Sequence, residues 1–190
     1  MDTINMKQHK KLHPHKFLMW VAIGSICMMF AGLTSAYVVK KSQDNVISVN
    51  LPTIFLWSTV VILISSLTLQ MAVKAIKAEQ ASTYKKLLLL TAALGVLFAV
   101  MQYKGFVYLD QSGVEFIGRN SNPGASFLLI IIGLHSIHVL GGVIALIVMS
   151  LKNNLSKISS SIVSTEVMAA YWHFVDVLWI YLLIFLIFMR

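Results

Sequence analysis

Four ionisable side chains lie inside long apolar runs of this 190-residue chain: His135 and His138 in one, His173 and Asp176 in another. In hydrocarbon such a group costs at least ~2.5–3.5 kcal/mol, so each needs a partner or a task. Both pairs are spaced i,i+3, which puts their members on one face if the runs are helical. Three chemistries suit them. Hydrogen bonds between helices would give each contact ~0.6 kcal/mol. A His/Asp chain could relay protons. Three histidines and a carboxylate could also ligate zinc or iron, but no cysteine or further histidine joins them at ligand spacing. The structural reading leads.

The runs that hold these residues read as membrane spans. The chain is 58% hydrophobic and only 12% charged, with a mean hydropathy of +0.81. Soluble domains run at about 45–50% apolar and about 25% charged. A water-soluble body of this size would lack polar surface. The net charge of +8 comes mostly from lysines between apolar runs. No basic face with interleaved aromatics accompanies them, so nucleic acid is not the expected partner. The single cysteine, Cys27, excludes an intrachain disulfide.

Crossing a bilayer takes about 20 apolar residues of helix. Five runs qualify, at about 17–39, 53–73, 87–108, 125–149 and 167–189. The expected fold is therefore all-α, one membrane domain over residues 1–190 with five transmembrane helices. Pro52 precedes the second run, and Asn122-Pro123-Gly124 breaks the chain before the fourth. The stretch Ser156–Ser164 reads as a polar turn. The first run follows a basic segment but is too long for a signal peptide and has no A-x-A site, so it reads as a retained helix.

Lysine and arginine set the orientation. With the amino terminus inside, the inner segments hold Lys7, Lys10, Lys11, Lys16, Lys74, Lys77, Lys85, Lys86, Lys152 and Lys157. The outer ones hold Lys40, Lys41, Lys104, Arg119 and Arg190, so the ratio is ten to five. The carboxyl terminus then lies outside.

Depth follows from a rise of ~1.5 Å per residue. His138 falls about 16 Å from Met149 and Asp176 about 14 Å from Val167, each at the inner end of its run. The fourth and fifth helices should be antiparallel neighbours, with the His135/His138 face meeting the His173/Asp176 face in one hydrogen-bonded cluster centred on a His138–Asp176 contact. Glu166 is expected in the first turn of the fifth helix, where a carboxylate complements the helix dipole. Gly133, Gly141 and Gly142 should permit close helix packing. Trp20 and Trp57 fit an interfacial belt, and the ten methionines read as filler. His9, His13 and His15 belong to a basic tail that suits solvent or lipid headgroups.

The stretch from Glu166 through Tyr171-Trp172-His173-Phe174-Val175-Asp176-Val177-Leu178-Trp179 resembles the last-helix signature of cytochrome c oxidase subunit III. Gly133-Leu-His135-Ser-Ile-His138-Val-Leu-Gly141-Gly142 is similar to that family's paired-histidine motif. Ala31-Gly-Leu-Thr-Ser-Ala-Tyr37 resembles its third helix, which is the first in short five-helix bacterial forms. One departure stands out. Many members carry Ser-Glu-x-x-x-Phe in that helix, whereas Ser25-Ile26-Cys27-Met28-Met29-Phe30 puts Ile26 at the glutamate position.

The resemblance implies an accessory, non-catalytic subunit of a proton-pumping haem–copper terminal oxidase that reduces oxygen to water. It implies no cofactor in this chain, haem and copper in partner subunits, and bound phospholipid. The implied partners are catalytic subunit I, subunit II and membrane lipids, in a bacterial inner membrane and its respiratory supercomplexes. The implied tasks are assembly, lipid binding and support of proton uptake; a role resting on the family's glutamate does not carry over, with Ile26 in its place. Rival readings are a subunit-III-like partner of a nitric oxide reductase, a small membrane transporter, and a membrane metalloenzyme.

Overall fold

A backbone in hydrocarbon must satisfy its own hydrogen bonds, and the apolar runs do so as helices. The computed structural model describes residues 14–43, 53–111, 123–152 and 158–189. They form α1 (Pro14–Gln43), α2 (Ile54–Lys77), α3 (Ala81–Gln111), α4 (Pro123–Lys152) and α5 (Ile158–Phe188). All five are long and apolar enough to cross a membrane.

Several helices outrun their apolar stretches. α3 begins at Ala81 rather than near residue 87, and α5 at Ile158 rather than 167. Within the described residues, the expected polar turn at Ser156–Ser164 is helix from Ile158 onward. Hydropathy marks where a helix leaves hydrocarbon, not where its hydrogen bonding stops. A consequence falls on Glu166. It is the ninth residue of α5, not part of the first turn, so the helix dipole does not account for it.

α2 and α3 form the tightest pair, joined through Ala78-Glu79-Gln80. Glu79 adopts a left-handed φ of 58°. The Gln80 amide donates to the Ala75 carbonyl at 3.0 Å and the Glu79 amide to Ile76 at 3.1 Å. These two bonds close the helix end in the pattern that glycine normally serves. A side chain in this conformation costs roughly 1–2 kcal/mol, which the short connection tolerates.

The remaining contacts make a ring in which α2 meets α3, α3 meets α4, α4 meets α5 and α5 returns to α2. At its centre stands Trp172 of α5, 1% exposed. Its indole N–H donates to Ser65 of α2 at 3.0 Å. Its Cη2 and Cζ2 atoms lie against Gly95 of α3 and its Cζ3 and Cε3 atoms against Gly142 of α4. A Cβ on Gly95 would fall 2.8 Å from Trp172 Cη2, and one on Gly142 would fall 2.9 Å from Cζ3. One side chain thus touches all three other helices of the ring. Gly105 plays a similar part for Phe55, at 2.8 Å. Of the three glycines expected to pack closely, only Gly142 does so. Gly133 and Gly141 have nothing within 4 Å of a built Cβ.

α1 lies outside the ring, against α4 and α5, and is the least buried helix. Phe30 meets the edge of His138 with centroids 5.9 Å apart. Tyr37 meets Phe185 at 5.6 Å, and the Thr34 and Tyr181 hydroxyls are 3.3 Å apart. Ile26 packs partly buried against the core, where an unpaired carboxylate would carry a desolvation cost. At one end Lys41 Nζ bonds the Met189 carbonyl oxygen. At the other end Glu166 joins three helices: Lys16 of α1 and Lys77 of α2 each approach a different carboxylate oxygen at 2.9 Å.

Two expected outcomes follow from this packing. Gly142→Ala should lower stability by about 1–3 kcal/mol through overpacking against Trp172, while Gly141→Ala should be neutral or slightly stabilising; thermal unfolding in mild detergent compares them. Glu166→Gln should lower Tm by about 1–4 °C at low salt, as for a partly exposed ion pair. That difference should shrink in high salt because the lysine contacts are screened. A gap unchanged by salt would count against the ionic account.

Candidate functional site

The interior polar groups lie in separate seams rather than one cluster. A hydroxyl in hydrocarbon can give its hydrogen to a carbonyl of the preceding helical turn and still accept a bond from a neighbour. α2 uses this device repeatedly. Ser65 donates to the Ile62 carbonyl at 2.7 Å and accepts the Trp172 indole N–H. Thr59 donates to the Phe55 carbonyl at 2.8 Å and accepts the Trp179 indole N–H at 2.9 Å. Ser58 donates to Phe55 as well, at 2.8 Å, and accepts from Gln102 Nε2 of α3 at 2.9 Å. Thr68 and Thr91 pair across α2 and α3 at 2.8 Å. Near the Glu166 end, Tyr84 and Thr165 join α3 to α5 at 2.7 Å.

The two histidine–carboxyl faces do not meet as one hydrogen-bonded cluster. His173 turns to α2, its Nδ1 2.6 Å from the Ser66 hydroxyl. His138 bonds through Nδ1 to the carbonyl of Leu134 in its own helix, at 2.7 Å. Its backbone carbonyl accepts the Tyr171 hydroxyl at 3.0 Å, and this is the polar link from α4 to the α5 signature. Asp176 is 3% exposed, and neither carboxylate oxygen has a hydrogen-bond partner among the described residues. The expected His138–Asp176 hydrogen bond is absent. Matching depth fixes the height of a side chain but not its bearing around the helix. α5 turns its Asp176 and His173 side toward α2.

His135 is fully buried and stacked on Trp179, with centroids 5.1 Å apart and planes at 27°. Phe98 of α3 meets it edge-on at 5.9 Å. Both ring nitrogens lack a partner, as does Gln102 Oε1. Phe174 is partly buried against the core. Among the described residues, no three His, Cys, Asp or Glu side chains come together as a metal site would require. His9 and His13 lie outside the described residues.

The α2 hydroxyls and Gln102 are functional positions that the motif reading does not name. A signal was present: Ser58 and Ser65, and likewise Thr59 and Ser66, recur at seven-residue spacing within an apolar run, which places each pair on one face. Trp172 and Trp179 show the same interval in the opposite running direction.

The comparisons agree with this architecture. Residues 43–189 match the family model described as cytochrome c oxidase subunit III. A probable cytochrome c oxidase subunit 3 from Nocardia farcinica is 29% identical, covering 100% of this chain and 96% of its own length. Cytochrome c oxidase subunit 3 of Corynebacterium diphtheriae is 31% identical, covering 90% of this chain and 88% of its own. Cytochrome bo(3) ubiquinol oxidase subunit 3 of Buchnera aphidicola is 28% identical, covering 93% and 88%. The family match takes in α2 to α5, the ring pinned by Trp172, and the Nocardia relative extends it over α1. The chain belongs to the cytochrome c oxidase subunit III family.

Proposed function

We propose that the chain is an accessory subunit of a haem–copper terminal oxidase, one membrane domain that stabilises the catalytic subunit and supports its proton uptake. The observation that carries this reading is the use to which the family signature is put. Trp172, Trp179, His173 and Tyr171 each bond a neighbouring helix. The signature is thus spent on holding the bundle together. Haem and copper belong to the partner subunits in this reading, named by the family as subunits I and II. Relatives include subunits of both a cytochrome c oxidase and a ubiquinol oxidase, so the electron donor is chosen elsewhere in the complex. Phospholipid would cover the apolar outer surface, to which Met28, Leu151 and Phe188 each contribute side chains more than three-quarters exposed.

The charge asymmetry supports an inner amino terminus in a bacterial cytoplasmic membrane. The Lys16–Glu166–Lys77 end then faces the cytoplasm, and the Lys41 end faces outward.

Mild-detergent purification tests the assignment, with co-purification of a haem–copper subunit expected. Asp176→Asn keeps the side-chain volume and breaks no hydrogen bond among the described residues, so it should weaken subunit association more than it alters bundle stability or oxygen chemistry. Full retention of the subunit together with an immediate fall in initial turnover would contradict this. In a Cys27→Ser background, a membrane-impermeant maleimide added to intact spheroplasts should label Asp110→Cys and spare Glu79→Cys; the reverse pattern would invert the topology.

A further inference from the structure

We propose that the outward face of α5, between α1 and α2, receives a transmembrane helix of the oxidase's catalytic subunit and bonds it at mid-depth through His173. The inference rests on the accessory-subunit reading. α1 packs on α4 and α5, while α2 packs on α3 and α5, so α5 forms the floor of a groove with those two helices as walls. The floor exposes Ala170, Val177 (64%) and Ile184 (49%). Its inner mouth is crossed by the Lys16–Glu166–Lys77 bridge.

Polar groups line this groove where an acyl chain could not satisfy them. His173 lies eleven residues, about 16 Å, from the start of the apolar span at Ile162. Its ring is partly exposed. Nδ1 is committed to Ser66, and nothing among the described residues bonds Nε2. Gln70 of α2, one turn from Ser66 on the same side, is exposed and likewise unbonded. It sits seven residues, about 10 Å, inside the span from Lys77. Behind them the buried Asp176 carboxyl lies near the Ser66 hydroxyl, with no hydrogen bond of good geometry to either oxygen among the described residues.

Polar side chains within membrane spans ordinarily face protein or water. A lipid tail in this groove would leave the imidazole N and the amide unpaired. A neighbouring helix with a hydrogen-bonding side chain at mid-depth pairs them, and the small Ala170 on the groove floor permits its close approach.

The test uses the intact complex in a Cys27→Ser background. A benzophenone maleimide is placed on Ala170→Cys, Val177→Cys or, on the outer face of α4, Ile144→Cys. The expected result is a photo-crosslink to the catalytic subunit from 170 and 177 and none from 144. Crosslinks from the groove to lipid alone, or to a second copy of this chain, would overturn the proposal, as would labelling from 144 in place of 177. Gln70→Leu removes no bond among the described residues, so it separates docking from folding. It should weaken retention of the subunit about threefold, the worth of one interhelical bond in a membrane, with thermal unfolding of the isolated chain unchanged. Unchanged retention would also count against the groove. If no haem–copper subunit co-purifies with the unmodified chain, the accessory reading itself fails, a result distinct from a complex that forms through another face.

Discussion

The structure depends on how a polar hydrogen is placed where there is no water. Hydrophobic burial drives little association between helices already in lipid, because the tails are as apolar as leucine. Close packing and a small number of bonds must hold the bundle. Trp172 supplies both at one point: its ring sits where Gly95 and Gly142 leave room, and its N–H finds Ser65. Trp179 repeats the bond with Thr59 further along the same pair of helices. Gly95, Gly142, Ser65 and Thr59 have no independent logic; each is where an indole requires it.

The same economy explains why the ionisable groups are dispersed. Ser58, Thr59, Ser65 and Thr68 of α2 each place their own hydrogen within the helix and leave lone pairs for a neighbouring donor. Histidine and aspartate cannot be satisfied so cheaply. His138 resorts to a carbonyl of its own helix, His173 to Ser66, and His135 to stacking on Trp179 with its nitrogens unbonded. The seams are therefore of two kinds. The hydroxyl–indole seams are closed, while those around Asp176, His135 and Gln102 retain unpaired atoms. Closed seams suit a scaffold.

α1 stands apart from this network. It adds aromatic contacts through Phe30 and Tyr37 and is tied at both ends by lysines, through Glu166 and the Met189 carbonyl. Ile26 in place of the family's glutamate suits such a helix, because a carboxylate there would need a partner that the surrounding apolar side chains do not supply. The charged bridge at Glu166 lies instead at the helix ends, where water helps to solvate it.

The sequence by itself determined the number of spans, the all-helical class and the identity of the family, because these rest on apolar run length and on a compact signature. It also drew attention to Trp172, His173, Asp176 and Trp179 within that signature. Tertiary structure alone decided their partners. Run length and rise give depth along the bilayer normal, and the depths of His138 and Asp176 do match, but they leave the rotation of each helix free. Rotation is set by packing, and Trp172 between Gly95 and Gly142 turns His173 toward Ser66 of α2. Helix ends were legible only to the edge of hydrocarbon, since Ile158–Thr165 is helical for reasons of backbone bonding that hydropathy does not record. For that reason Glu166 proved to be a tie between three helices instead of a cap on one.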